Sequence, residues 1–438
     1  MPSLSDKQLL RWLRPGMHVK RWLGLLVLGV AIMGLGISYL LREAYLTYTF
    51  PGVAYYLTLQ FIPRYLRGML FVGMSGWLLL TALWNLNRAL LAPFLENNHG
   101  DPIAVRIYNH HARQRGPRVV AIGGGTGLSM LLSGLKEHSS NLTAIVTVAD
   151  DGGSSGRLRR EMGVLPPGDL RNCIAALAEA EPLMRSLFQY RFSEGSGLEG
   201  HSFGNLFIVA MSGVTGNFEE AIRATSRVLN VRGQILPSTL ANVSLTALTD
   251  TGERIHGESR ITEAGRPLRE IFIEPADARA YPEAIDAIGE ADMIVVGPGS
   301  LFTSILPNLL VHDIREAIEA SEALKVYVCN VATQRGETDS FTVADHIRVL
   351  ERHLGRRVFH HVLANNNVSE PLPPTWHSEP VSVNGAGAHE PRLVVADVIS
   401  EDNRYRHNPQ KLARALMRIY DGRSPISSPS PVEDELVF

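Results

Sequence analysis

The sequence predicts an α/β protein: a mostly parallel sheet with helices on both faces, preceded by a two-helix transmembrane hairpin. Three observations predict it. Short β-branched apolar runs alternate with amphipathic stretches from residue 118 onward. Glycine-rich turns close several of those runs just before a helix. Two long apolar stretches fill much of residues 1–91.

The 438 residues suffice for one large domain or two ordinary ones. With 45% hydrophobic and 20% charged residues, a packed core is expected rather than global disorder. A net charge of −2 argues against a whole-protein nucleic-acid surface. Cys173 and Cys329 are far apart and form neither a metal-type pair nor a disulfide framework, which suits a reducing compartment.

The N-terminal hairpin is assigned to residues 1–91, with spans at about 22–41 and 68–86. The first, "WLGLLVLGVAIMGLGISYLL", carries no charge and would reach roughly 30 Å as a helix. The second holds Gly73 and Gly76, small residues that allow close helix contact in membranes. Lys7, Arg11, Arg14, Lys20 and Arg21 precede the first span, and Arg88, Arg106, Arg113, Arg115 and Arg118 follow the second. This bias places both ends in the cytoplasm and the protein in the inner membrane as a multi-pass chain. The Tyr- and Phe-rich connecting loop is expected at the membrane surface. Residues 92–117 read as a linker and 423–438 as a disordered tail.

Residues 118–422 form the expected α/β domain. Strands are predicted at 118–122, 142–148, 242–249, 270–275, 292–299, 325–332, 357–365 and 392–399. Near-continuous apolar strands separated by helical runs argue a parallel sheet covered on both faces. Residues 161–230 read as mostly helical, and the stretches flanking Asp250–Thr251–Gly252 as a β-hairpin.

The turns carry the chemistry. "VVAIGGGTGLSMLLSGL" is a strand, a glycine turn and a helix, the arrangement that brings free first-turn amides against an anion. Gly123, Gly124, Gly125, Thr126 and Gly127 are the candidate residues; the stretch matches neither G-x-G-x-x-G nor the Gly-Lys-Ser/Thr ending of a P-loop. The next strand ends in "VADDGGSSGRLRR". There Asp150 and Asp151 suit ribose hydroxyls or a divalent cation, and Gly153, Ser154 and Ser155 add amides and hydroxyls. "PPGDLRN" contributes Asp169 and Asn172, with an N-cap as the plainer role for Asp169. "GHSFGNLF" contributes His201 and Asn205. "GPGSLFTSILPNL" repeats the strand–turn–helix device with Gly297, Gly299 and Ser300, the serine as N-cap. "CNVATQRGETDSF" contributes Asn330, Thr333 and Gln334. Ligands of such sheets bind beyond the carboxyl ends of the strands, so these loops are expected to converge. No catalytic triad or cysteine nucleophile is evident.

Taken in order, "IGGGTGLSMLLSGLK", "VTVADDGGSSGRLR", "PPGDLRNCIAAL", "GHSFGNLFI", "GPGSLFTSILPNLL", "VCNVATQRGETD" and "YRHNPQKLARAL" resemble the YvcK-like gluconeogenesis factors of the CofD-like superfamily, over roughly Arg118–Tyr420. The resemblance implies a Rossmann-like fold that binds a nucleotide or nucleotide-sugar, with UDP-linked sugars foremost, and a role in cell-envelope morphogenesis and growth on gluconeogenic carbon. The favoured expectation is a membrane-tethered, non-catalytic regulator. In it the loops at 123–127 and 297–300 hold a diphosphate, Asp150 or Asp151 meets ribose or metal, and Asn205 or Asn330 reads base or sugar. The alternative is a metal-dependent transferase related to 2-phospho-L-lactate transferase, with Mg²⁺ held by Asp150, Asp151 and Asp169 beside the bound nucleotide. The "DDGGSSG" form is typical of the YvcK branch. Oligomeric state and protein partner stay open.

Overall fold

The β-branched runs fold where burial on both faces rewards them. The computed structural model describes residues 19–47, 52–57, 59, 61–95, 113–180, 182–368, 373, 375, 377–383 and 391–422. The chain divides into two units, Met1–His111 and Ala112–Phe438. The expected tail at 423–438 and most of the linker lie outside the described residues.

In the first unit, α1 (Val19–Thr47), α2 (Gly52–Leu57) and α3 (Arg64–Leu95) are helical. Large apolar side chains such as Leu28, Ile32, Met33, Met69, Val72 and Trp77 stand exposed. Among the described residues, however, no helix is long and apolar enough to cross a membrane. The spans expected at 22–41 and 68–86 do not stand as crossings there.

In the second unit seven parallel strands form one sheet in the order β10-β9-β8-β7-β1-β2-β3. They are β1 (Val119–Gly123), β2 (Leu142–Val146), β3 (Gln234–Pro237), β7 (Met293–Val296), β8 (Leu324–Val328), β9 (His361–Asn365) and β10 (Arg392–Ala396). β1, β7 and β8 are buried at every position, as strands covered on both faces must be. The strand at Gln234–Pro237 falls between the helical region expected at 161–230 and the strand expected at 242–249, where the sequence suggested no element.

Chain order reverses between β1 and β7. From β1 the chain winds through α4 (Gly125–Leu135) to β2, and from β7 through a π-turn (Leu301–Ile305), α12 (Leu306–Leu309) and α13 (His312–Ala320) to β8 on the other side. Right-handed crossovers in opposite directions put α4 and α13 on opposite faces. α4 packs between α6 (Gly168–Leu177) and α15 (Pro409–Asp421), while α13 packs on α11 (Pro282–Glu290). The expected helical insertion comprises α5 (Gly153–Met162), α6, α7 (Pro182–Gln189), α8 (Phe203–Thr215) and α9 (Phe218–Val228).

Between β3 and β7 the chain builds a separate antiparallel sheet, β5-β4-β6, from β4 (Ser244–Thr249), β5 (Arg254–His256) and β6 (Leu268–Glu274). The expected hairpin is its β4–β5 half. Leu268, Ile271 and Ile273 of β6 face inward while Arg269, Phe272 and Glu274 are exposed, the alternation of a one-sided sheet. α10 (Glu258–Ala264) leaves this sheet and returns toward the parallel one. α14 (Val343–Leu354) braces it: His353 Nδ1 bonds the Val349 carbonyl, so Nε2 accepts the Ile271 N–H at 3.2 Å.

One side chain ties the two central strands. Asn308 is fully buried, and its amide nitrogen donates to the Gly123 carbonyl at the end of β1 and to the Ser304 carbonyl after β7. Replacing Asn308 with Ala is expected to cost about 1–3 kcal/mol of stability, measured by denaturant unfolding. A loss below about 0.5 kcal/mol would show that the tie is incidental.

Candidate functional site

The reversal of chain order opens a cleft at the carboxyl ends of β1 and β7. It is lined by Gly124, Gly125, Thr126 and Gly127 from one turn, Pro298, Gly299 and Ser300 from the other, and by Met130, Ser304, residues 330–332, Gln334 and Tyr405–His407. Such a reversal leaves the loops splayed apart, which is why ligands of open α/β sheets sit there.

The glycines are dictated by space. A Cβ on Gly124 would lie 2.6 Å from both Asp169 Oδ2 and Thr147 Cγ2. A Cβ on Gly127 would lie 2.3 Å from the Pro298 carbonyl oxygen. Only bare backbone lets the start of α4 approach its neighbours so closely. Gly125 has φ +63°, a left-handed conformation that costs other residues about 1–2 kcal/mol. Leu128 N–H bonds the Gly124 carbonyl, so the first-turn amides of Gly125, Thr126 and Gly127 have no partner within the helix. The Gly125 N–H is taken by the Asp169 carboxylate.

The second turn has different chemistry. Ser300 makes no cap hydrogen bond, against expectation, because a π-turn follows it rather than a regular first turn. Its hydroxyl accepts from Gln334 Nε2 at 2.8 Å instead. Glu337 does the capping: its carboxylate accepts the Phe302 N–H and the Thr303 hydroxyl. Asn330 clasps Gly299 from both sides, accepting its N–H at 3.1 Å and donating to its carbonyl at 2.8 Å. The opposite wall precedes α15, whose N-cap is Asn408. His407 Nε2 meets the Cys329 carbonyl at 3.2 Å, and burial pushes the imidazole down to about 4, so it is neutral at pH 7.

A second cluster adjoins the glycine turn. Asp169 lies inside the first turn of α6, whose N-cap position is Pro167, so it does not take the N-cap role. Burial and the nearby Asp150 raise its carboxyl to about 6. Burial also raises Asp150, whose Oδ1 accepts the Gly152 N–H at 2.9 Å. Asp151 Oδ1 accepts the Ser259 N–H at 2.8 Å, which fastens α10 over the acids. Glu258, at the start of α10, feels burial first and then Asp150, Asp151 and Asp169, and is pushed up to about 8. Among the described residues, no group of three or more His, Cys, Asp or Glu is placed to hold a metal ion.

The remaining sequence candidates divide. Ser155 bonds the Asp150 carboxylate. Ser154 Oγ lies 3.0 Å from His201 Nδ1 and accepts from Asn205 Nδ2 at 3.0 Å, all three buried. Asn172 accepts from Arg171 at 2.8 Å. Gly153 is exposed at the start of α5. Gly123 is buried in β1, and Gly297 packs on the Val328 carbonyl. Thr333 turns away from the cleft and exchanges hydrogen bonds with Glu379. The cleft thus gathers Gly124–Gly127, Gly299, Ser300, Asn330 and Gln334, while Asp150, Asp151, Ser154, Ser155, Asp169, His201 and Asn205 form the neighbouring polar cluster. Sequence reasoning passed over Ser304, Tyr405–His407 and Glu258. "YRHNPQ", just before a Pro-started helix, was a usable signal for the second; Glu258 had none, because it reaches the acids from a separate sheet.

The family model for 2-phospho-L-lactate transferase CofD matches residues 119–398. A Nostoc protein described as "Putative gluconeogenesis factor" is 47% identical over 428 residues, 95% of this chain and 93% of that protein. The "Gluconeogenesis factor" of Bacillus subtilis is 52% identical over 257 residues, 59% of this chain and 80% of that one. A crystal structure of a UPF0052 family member from Bacillus halodurans is 45% identical, with a TM-score of 0.65 over 69% of this chain and 99% of that one.

Replacing Glu258 with Gln removes a charge the cluster disfavours. A carboxyl raised from 4.5 to about 8 stabilises the fold fully below pH 4.5 and loses that contribution as pH climbs through 8. The Gln variant is therefore expected to raise the thermal midpoint by about 2–4 °C at pH 8.5, a gain that shrinks toward pH 4.5. A gain independent of pH would refute this account of the cluster.

Proposed function

The chain belongs to the gluconeogenesis factor family (YvcK-like, UPF0052) with a CofD domain, and from that premise we propose that it is a regulator that binds a nucleotide sugar, UDP-linked sugars foremost, in the switch-point cleft. One observation carries the reading: the open first-turn amides of α4 face the Pro298–Ser300 turn across the reversal between β1 and β7. The amides of Thr126 and Gly127 suit a phosphate, and the partial positive charge of the helix start adds to them. Asn330, Gln334 and Ser300 already form one hydrogen-bonded array and offer fixed polar edges to sugar or base. Asp150 and Asp151 lie beyond the loop as acceptors for hydroxyls.

A transferase reading has the four-carboxylate cluster and the name of the family model on its side. Asp150, Asp151 and Asp169 each accept a backbone N–H of their own chain, which orients these acids and leaves further lone pairs for a ligand. Regulation by binding requires no group beyond those present.

The N-terminal unit serves, on this reading, as a membrane tether. The uncharged run Trp22–Leu41 lies within α1, which at 29 residues would extend about 43 Å. The exposed Leu28, Ile32, Leu35, Met69, Val72 and Trp77 would be costly to leave in water. The full-length chain is expected in the membrane fraction after alkaline carbonate washing; recovery in the supernatant would reject the tether.

The cleft itself is tested by calorimetry with UDP and UDP-glucose on the full-length chain. Micromolar binding without metal, unaffected by EDTA, is expected. Gly125→Ala should weaken it at least tenfold, about 1.4 kcal/mol, with a thermal midpoint that shows the domain still folded. Unchanged affinity in that variant would remove the glycine turn from the site, and metal-dependent turnover would favour the transferase.

A further inference from the structure

Three arginines converge on the segment Glu199–Asn205 without a carboxylate partner. Arg157 on α5 donates to the Glu199 carbonyl at 2.7 Å, and Arg191 donates to the Gly200 carbonyl at 2.6 Å. The aliphatic part of Arg171 on α6 packs where a Cβ on Gly204 would otherwise sit. None of the three forms an ion pair among the described residues, whereas arginines such as Arg113, Arg223, Arg232 and Arg348 do. Glu194 and Glu199, in the same loop, are exposed and do not pair with them.

Two buried polar atoms here have no partner. Arg171 is 8% exposed and its Nε–H is unsatisfied; Asn205 is 2% exposed and its Oδ1 is unsatisfied. Orphaned buried groups of this kind are uncommon in a finished core and each needs an explanation. The neighbours sharpen it. Asn205 Nδ2 donates to Ser154 Oγ, and the same hydroxyl meets His201 Nδ1 at 3.0 Å. Burial and Arg157 both lower His201. The segment therefore holds an excess of donors in its three guanidinium groups, together with one free carbonyl acceptor.

We infer that this basin is a second anion subsite, for a carboxylate on the sugar of the bound nucleotide sugar, with Asn205 Oδ1 accepting an adjacent hydroxyl. The inference rests on the nucleotide-sugar reading of the cleft. Asp169 links the two places: it accepts the Gly125 N–H of the glycine turn, and its charge and that of Asp150 act on Arg171. A ligand with phosphate at the turn and a sugar acid toward α5 and α8 would meet donors at both ends and the carboxyl cluster between them. Planar guanidinium groups suit a carboxylate because two parallel N–H bonds match its two oxygens.

The experiment compares UDP-glucose with UDP-glucuronate, which differ by one carboxylate, on the full-length chain by calorimetry. The wild-type chain is expected to prefer UDP-glucuronate about tenfold. Arg191→Ala, at an exposed position, and Arg157→Ala should each bring that ratio close to one, with thermal midpoints confirming the fold. Equal binding of the two sugars by the wild-type chain, or a preference that survives both substitutions, overturns the basin and leaves the cleft reading in place. Binding of neither sugar overturns both.

Discussion

The structure depends on a contact that only the absence of a side chain permits. Gly124 stands where four segments meet: the end of β1, Thr147 beyond β2, Asp169 in α6, and Ser304 in the π-turn. A methyl group there would overlap two of them at 2.6 Å and reach the third at 3.5 Å. Because the backbone comes so close, Asp169 can take the Gly125 N–H, and α6 is held against α4 at the rim of the sheet. Position, charge and access at the cleft all follow from that approach. Gly127 repeats the device against the Pro298 carbonyl, so the two turns of the switch point are in contact through backbone alone.

This geometry puts carboxylates beside an anion-seeking helix start, and the protonation states absorb the conflict. Asp169 is raised to about 6 and Glu258 to about 8, in each case by burial before any charge. Both groups favour the protonated form in the fold, so their contributions are complete below the ordinary carboxyl range and fade as pH climbs through the raised values. His407 works in the opposite sense. Held neutral down to about 4, it withdraws stability as pH falls from 6.5 toward 4, because the unfolded chain takes up the proton first. The two effects oppose each other between pH 4 and 6.5, and only the carboxyls act above that window. An anion arriving at Thr126 and Gly127 would raise the neighbouring acids further, so ligand and proton uptake are coupled in the same direction.

Much of this was legible in the sequence. β1, β7 and β8 announce themselves as largely apolar runs because strands covered on both faces carry few polar residues, Lys325 of β8 being the exception. Loop convergence followed from their placement after consecutive strands. β3 was not legible: Gln234–Pro237 is four residues long, and its register comes from β2 rather than from a pattern of its own. Glu258 was invisible for a different reason. It reaches Asp150 through the docking of a separate sheet, with Ser259 bonding an acid 108 positions away. Thr333, a polar residue in a promising loop, exchanges hydrogen bonds with Glu379 beside the bridge between Ala332 and Pro380. The apolar N-terminal runs were plain in composition, yet among the described residues no helix is long and apolar enough to cross a membrane.

The two strand–turn–helix devices of the switch point look alike in sequence and differ in what they can bind. Both were expected to share a diphosphate. After β1 a regular helix begins, and two of its first three amides have no carbonyl or carboxylate to satisfy them. After β7 the chain enters a π-turn, and Glu337 already accepts the Phe302 N–H and the Thr303 hydroxyl. That carboxylate occupies the place an anion would take, and it is nearly fully buried, so water cannot compete for it. The Gly299 N–H is likewise committed to Asn330. The amides left open to a phosphate are therefore those of the first turn. The second presents the Ser300 hydroxyl and the amide edges of Asn330 and Gln334, groups that can give or accept one hydrogen bond each to a neutral sugar or base. The asymmetry gives the cleft a direction: charge at the β1 side, hydrogen-bond discrimination at the β7 side.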